Sequence, residues 1–339
     1  MTAKFATNEG LTKLLESLAR DRQLYGPAEV GEEFRMKPVT PDEVCLGPAR
    51  TVEPLKSFFF PVRETLGDIF ARGSEPTVTP RAIVGVKACD LRSLRVLDYV
   101  FLEGDYEDPY YWAHRDSTFL VSADCSTAKD VCFCTHLGAK PYSEEGFDLN
   151  ISEVEGGFVI EAGSEAGSEF LSREGGTLPD VAEAHLKDRD ARRSEVFEQV
   201  TRQVQDAGLG RSESARDNYR KAVSAPLWEK HAEACVECGA CNFICPTCHC
   251  FLLLDLESKG QFQRFKNWDS CQYGSFVRVA GGATPRPRRA DRLRNRFEKK
   301  FDFFVDRIDS YACVGCGRCI EACAGNIDIR EVLGDLANA

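Results

Sequence analysis

The sequence is first defined by what is missing from it. No apolar run is long enough to cross a bilayer: the longest, FVI and FLLL, fall far short of the roughly 20 residues a spanning helix needs. The opening MTAKFATNEGLTKLLESLARDRQLYG is amphipathic and charged and holds no apolar h-region, so no signal peptide is expected and the compartment expected is the cytoplasm. Excess positive charge is missing too. Lys and Arg number 43 against 54 Asp and Glu, a net charge of −11, which argues against nucleic acid as the main partner. There is no G-x-G-x-x-G and no G-x-x-x-x-G-K-[ST]; the GLG at 208–210 lacks a third glycine and does not follow a strand. A standard nucleotide site is therefore not expected.

What is plentiful is cysteine, sixteen in 339 residues. In a reducing compartment disulfides are rare, and dense cysteine points to metal. Five cysteines (Cys45, Cys89, Cys125, Cys132 and Cys134) precede residue 225 and eleven follow it. That shift divides the chain into an α/β domain over residues 1–225 and a mainly helical, ferredoxin-type dicluster domain over residues 226–339, an α+β fold overall. In the first part, Leu11, Leu14, Leu15 and Leu18 fall at helical spacing behind Asn8, a candidate N-cap. RAIVGVKACD reads as a buried strand ending in a turn, LRSLRVLDYVF as a helix, and TFLVSADC and GFVIEAG as two further strands. The Gly-, Ser- and Glu-rich residues 161–176 read as a loop. The stretch VAEAHLKDRDARRSEVFEQVTRQVQDAG reads as one or two polar helices.

The chemistry sits in two runs. Cys235, Cys238, Cys241 and Cys245, followed by Pro246, form C-x2-C-x2-C-x3-C-P, and Cys313, Cys316, Cys319 and Cys323 repeat the spacing. This is the bacterial pattern for two [4Fe–4S] clusters, in which the fourth cysteine of each run serves the other cluster. The expected ligand sets are Cys235, Cys238, Cys241 and Cys323 for one, and Cys313, Cys316, Cys319 and Cys245 for the other. Gly239, Gly315 and Gly317 let the loops turn tightly around the sulfides. Zinc fits poorly, because it takes paired C-x2-C units rather than complete four-cysteine runs. Ala324 stands where the second run would carry proline, a position that shapes the exit turn and holds no ligand.

Cys248, Cys250 and Cys271, with His249, are surplus to the runs and read as small buried groups beside the clusters, with a third site as the alternative. Phe251, Phe262, Phe265, Trp268 and Phe276 read as core. In the first part, Cys89 and Cys125 sit at strand ends and CFC supplies Cys132 and Cys134. The four either converge on a third cluster, since strand C-terminal ends commonly carry sites in α/β sheets, or are buried thiols. Cys45 stands alone. The basic residues 284–304 read as a solvated helix face, or alternatively as a docking surface or a source of cations that raise cluster potentials.

The segments KACDLRSLRVLDYVF, DPYYWAHRD, DCSTAKDVCFC, CVECGACNFICPTCHCF, WDSCQYG and CVGCGRCIEAC resemble the beta subunit of cytoplasmic sulfhydrogenases, NAD(P)-linked nickel–iron hydrogenases. The iron–sulfur component of anaerobic sulfite reductase is similar. The resemblance runs over residues 56–328. It implies a non-catalytic electron conduit that links a flavoprotein NAD(P)-linked subunit with a terminal hydrogenase or reductase subunit. It also adds weight to a third [4Fe–4S] cluster on the N-terminal cysteines. The rival readings are a reductase acting on its own small substrate, with Cys248 or Cys250 as reactive thiol, and a purely structural metal module.

Overall fold

The computed structural model describes residues 3–47, 49–68, 76–209, 214–258 and 260–339; Gly210, the last glycine of the GLG stretch, lies outside them. In chain order the main elements are β1 (Ala3–Ala6), α1 (Asn8–Leu18), β2 (Gln23–Val30), β3 (Glu33–Pro38), α2 (Lys56–Phe59), β4 (Arg63–Asp68), β5 (Arg81–Val86) and α3 (Ala88–Leu102). There follow α4 (Pro109–Asp116), β6 (Thr118–Ala123), β7 (Leu149–Val154), β8 (Gly157–Ala162), α5 (Glu165–Glu174) and α6 (Glu183–Asp206). The last part holds α7 (Ala215–Lys221), α8 (Leu227–Ala232), α9 (Ala240–Phe243), β9 (Phe251–Ser258), β10 (Gln261–Trp268), α10 (Arg289–Glu298), α11 (Val305–Ile308), α12 (Arg318–Glu321) and α13 (Ile329–Ala337). No helix among the described residues is long and apolar enough to cross a membrane.

Two compact units interleave along the chain. One comprises Met1–Leu55, Thr77–Arg92 and Ala113–Gln203; the other Lys56–Pro76, Ser93–Trp112 and Val204–Ala339. Cysteine content divides the chain near residue 225, whereas compactness assigns two earlier segments to the C-terminal unit.

The first unit is built on a seven-stranded sheet in the order β1-β8-β7-β6-β5-β2-β3. Its centre, β2-β5-β6-β7, is parallel, and antiparallel strands flank it on both sides. A parallel strand covered on both faces reads as a continuous apolar run, and all six residues of β6 are buried. Leu11, Leu14, Leu15 and Leu18 of α1 join Val84, Val121, Ile151 and Ile160 in the core. The cap of α1 is Thr7, one residue before the expected Asn8: the Gly10 N–H donates to Thr7 Oγ1 at 3.2 Å. Residues 161–176 are not a loop. Ser164 caps α5 by accepting from Gly167 N at 2.9 Å, and Phe170 and Leu171 enter the core. A Cβ on Gly167 would lie 1.8 Å from Asp148 O, so glycine there marks close packing rather than a turn.

The second unit is not only helical. It carries a three-stranded antiparallel sheet, β4-β10-β9. Of the aromatics expected as core between the runs, Phe265 is buried while Phe251 and Phe262 are exposed. The sheet is anchored by Lys266 on β10, whose Nζ lies 2.8 Å from Glu64 and 2.7 Å from Asp108, at 2% side-chain exposure. Removing the cation takes from Glu64 and Asp108 the partner they share. Breaking a buried pair costs about 3–5 kcal/mol. Lys266→Met should therefore destabilise the folded chain by about that amount, read as a shift in the denaturation midpoint of anaerobically purified protein.

Candidate metal centres

The two cysteine runs turn through the same unusual backbone. Gly239 (φ +74°) and Gly317 (φ +69°) precede α9 and α12, and Gly315 adopts φ +67°. Its counterpart in the first run is Glu237, which takes φ +58° despite its side chain. A non-glycine residue there stores of order 1–3 kcal/mol, and it is held by Arg292 Nη2, 2.8 Å from its carboxylate. The helical turns that follow, α9 and α12, pack against each other.

This packing gathers cysteines from both runs. Cys235, Cys238, Cys241, Cys319 and Cys323 line one cavity of about 50 Å³, walled by Leu293, Phe297, Ile327 and Ile329. Cys323 of the second run thus stands with the first three cysteines of the first. Cys245 lies within electrostatic range of Cys313 and Cys319. Burial pushes the Cys241 and Cys313 thiols up to about 12. They are therefore neutral unless a metal takes their protons. Several sulfurs already accept hydrogen bonds: Cys323 from Ile327 N at 3.3 Å, and Cys313 from the Gly315 backbone. Among the described residues no three Cys, His, Asp or Glu side chains close on a single ion. Zinc, with bonds of about 2.3 Å to sulfur, requires that closeness, and a larger cluster does not. The apolar walls, thiol sets and N–H donors suit an iron–sulfur group.

The basic segment has two faces: Arg288, Arg289 and Arg294 remain solvated, while the other face turns inward. Arg292, Arg296 and Lys300, four residues apart, are 3%, 5% and 4% exposed. Burial opposes the charge on Arg296, but Cys241, Cys319, Cys248 and Cys245 more than offset it once they carry negative charge. Arg296 Nη2 donates to Cys241 O at 3.3 Å, while its buried Nε has no hydrogen-bond partner among the described residues. Lys300 donates to Thr247 Oγ1. It too is desolvated, and it is held charged by Cys245 and Cys248. A third cation, Lys56 of α2, donates to Asn242 O at 3.1 Å and Cys248 O at 3.0 Å; burial lowers it to about 8.

Cys248, Cys250 and Cys271 are not scattered. With His249 they line a second cavity, of about 270 Å³.

In the first unit, Cys89 follows β5 and Cys125 follows β6, so the two lie beyond the ends of adjacent parallel strands. Cys125, Cys132 and Cys134 lie within electrostatic range of one another. Burial raises Cys125 to about 11 and Cys134 still further. Lys87, between β5 and α3, is fully buried and donates to Gly47 O at 2.8 Å and Asp124 O at 2.9 Å. Burial lowers its pKa, while Cys125, Asp124, Cys89 and Cys45 oppose the shift. Cys45, alone in the sequence, thus belongs to this neighbourhood; no spacing signal marks it, because it arrives on the segment after β3. Thr135 Oγ1, beside Cys134, is buried without a partner among the described residues. The strand ends are fixed by Asp124, which accepts from Ser152 Oγ at 2.7 Å and Arg193 Nε at 2.7 Å.

A family model described as a 4Fe-4S dicluster domain matches residues 234–327. Sulfhydrogenase 2 subunit beta of Pyrococcus furiosus is 32% identical over 320 residues, covering 93% of this chain and 92% of its own length.

The first cavity makes a sharp prediction at Gly325. A Cβ there would lie 2.2 Å from Ala234 O, forcing the Cys235 segment away from Cys323. Gly325→Ala should cost the chain about four of its irons, with one ferredoxin-type EPR signal lost and the other kept. Unchanged iron content would contradict the arrangement.

Proposed function

The chain belongs to the sulfhydrogenase beta-subunit family, and from that premise we propose that it relays electrons within a multi-subunit complex, linking a flavin- and NAD(P)-linked subunit with a terminal hydrogenase or reductase. Cys235, Cys238, Cys241 and Cys323 would hold one [4Fe–4S] cluster, and Cys245, Cys313, Cys316 and Cys319 the other. Bound there, each cluster supplies a one-electron couple. The chain's own residues set the conditions for it. Arg296 faces cysteines of both sets and Lys300 faces the second, so an added negative charge is offset as it arrives.

The observation that carries this reading is the pairing of a shared buried cation with a graded exposure of the thiols. Cys245 and Cys316 are buried, whereas Cys238 is exposed and Val236 beside it is 62% exposed. Through Cys238 the first set reaches a surface where a partner can exchange electrons. The β9–β10 hairpin also exposes Leu252, Leu253, Leu256 and Phe262. That much apolar surface suits a chain covered by another protein.

The N-terminal cysteines support a third cluster. Cys125, Cys132 and Cys134 with Cys89 would hold it, near Lys87. Because the compact units interleave, the test belongs on the full chain. Serine at Cys89, Cys125, Cys132 and Cys134 together should remove about four irons and leave both ferredoxin-type signals.

A reductase reading gains support from the open cavity at Cys248, Cys250 and Cys271. Isolation decides between the two. The chain should purify with a flavoprotein and a terminal enzyme. Alone it should take electrons from a strong reductant and pass them to a dye, without oxidising NAD(P)H or reducing sulfite. Steady turnover of either substrate by the flavin-free chain would overturn the relay. The ligand sets have their own test: Cys245→Ala should abolish the signal of the cluster at Cys313, Cys316 and Cys319. Loss of only the signal at Cys235, Cys238 and Cys241 would reject the crossed assignment.

A further inference from the structure

Three cysteines of the second unit remain outside both ligand sets. Cys248 and Cys250 leave the first run just before β9, and Cys271 follows β10. The hairpin brings them together. Trp268 pairs with Phe251, and Asp269 N–H donates to Cys250 O at 2.9 Å, extending the ladder to the hairpin's base. There the Cys250 and Cys271 thiols come into hydrogen-bond contact. Cys248 joins them on the wall of one cavity of about 270 Å³. That volume exceeds the roughly 50 Å³ between the cysteines of the first set.

The charge of this cavity is one-sided. Arg286, Arg296, Lys299 and Lys300 line it, and among the described residues no Asp or Glu does. Of these, Arg296 and Lys300 are buried, and buried cations this close together are costly without negative charge to offset them. Neutral thiols would leave them uncompensated, and so would a Cys250–Cys271 disulfide. The surroundings of Cys271 suit a thiolate: Asn242 Nδ2 donates to its sulfur at 3.0 Å and Gln272 Nε2 at 3.7 Å. The Arg296 Nε, buried and unpartnered among the described residues, belongs to a side chain on this wall. A hard cation is excluded by the lysines and arginines and by the missing carboxylates. The three thiols on one cavity wall suit a soft, thiophilic group. An anionic, sulfur-rich group larger than one ion satisfies both the thiols and the cations.

We propose that Cys248, Cys250 and Cys271 form a further thiolate cradle that binds a [4Fe–4S] cluster in this cavity. Three thiolates leave one iron without a cysteine, facing the cavity that His249 also lines. The cradle is separate from the relay ligands and from the N-terminal cysteines.

The test uses the full chain, purified without oxygen, with iron and acid-labile sulfide counted and EPR recorded after reduction. The combined variant Cys248→Ser, Cys250→Ser, Cys271→Ser should lose about four irons and four sulfides per chain and keep the signals of both ferredoxin-type clusters. Should that variant fail to fold, the chain with serine at Cys89, Cys125, Cys132 and Cys134 answers instead. It should still hold about twelve irons rather than the about eight of two clusters. An unchanged iron count in the folded triple variant would overturn the proposal. So would about eight irons in the N-terminal variant, or a Cys250–Cys271 disulfide found by mass spectrometry in anaerobic protein.

Discussion

Three cations on one buried helix face cannot stand without negative charge opposite them. Arg292, Arg296 and Lys300 recur every fourth residue from α10 into the turn after it, and all are nearly excluded from solvent. Like charges at this spacing repel even on a surface helix, and burial adds a larger desolvation cost. The compensation comes from Glu237 for Arg292 and from cysteines of both runs for Arg296 and Lys300. The second unit is thus organised around opposite charges brought together out of water. The apolar stripe Leu293, Phe297 and Phe301, offset by one residue, seats the same helix in the core.

The first unit repeats the arrangement with different parts. There the buried cation is Lys87, placed where the chain leaves β5, and the thiols arrive from beyond β5, from beyond β6 and from the segment after β3. A parallel sheet delivers such a set naturally, because the C-terminal ends of neighbouring strands open on the same edge. In both units a buried cation would favour the reduced, more negative state of an acceptor if the thiols held one, the bias that an acceptor of electrons needs.

How much of this could be read in the sequence depended on whether the signal was local. The two four-cysteine runs and their glycines were legible, because a loop that wraps a cluster fixes three of its ligands within seven residues and needs left-handed turns at Gly239, Gly315 and Gly317. Strands β5, β6 and β8 were legible as apolar runs. Helix α5 was hidden because its composition is that of a loop; the Ser164 cap and the contact of Gly167 with Asp148 override weak propensity. The β4-β10-β9 sheet was hidden because β4 and β10 lie far apart in the chain. The direction of the basic helix was partly legible: its four-residue spacing of cations beside a four-residue spacing of apolar residues marks an inward face. Charge count alone suggests the opposite. Cys45 carried no signal, since only the tertiary fold brings it near Lys87.

A redox titration of the Arg296→Gln chain, monitored by EPR, tests directly whether Arg296 acts electrostatically on both ferredoxin-type clusters. Glutamine keeps a donor and much of the volume while removing the charge. With iron content unchanged, the midpoint potentials should fall by roughly 50–150 mV, the equivalent of a few kcal/mol for a nearby charge in a protein interior. Potentials equal to those of the unaltered chain, at full iron content, would contradict it.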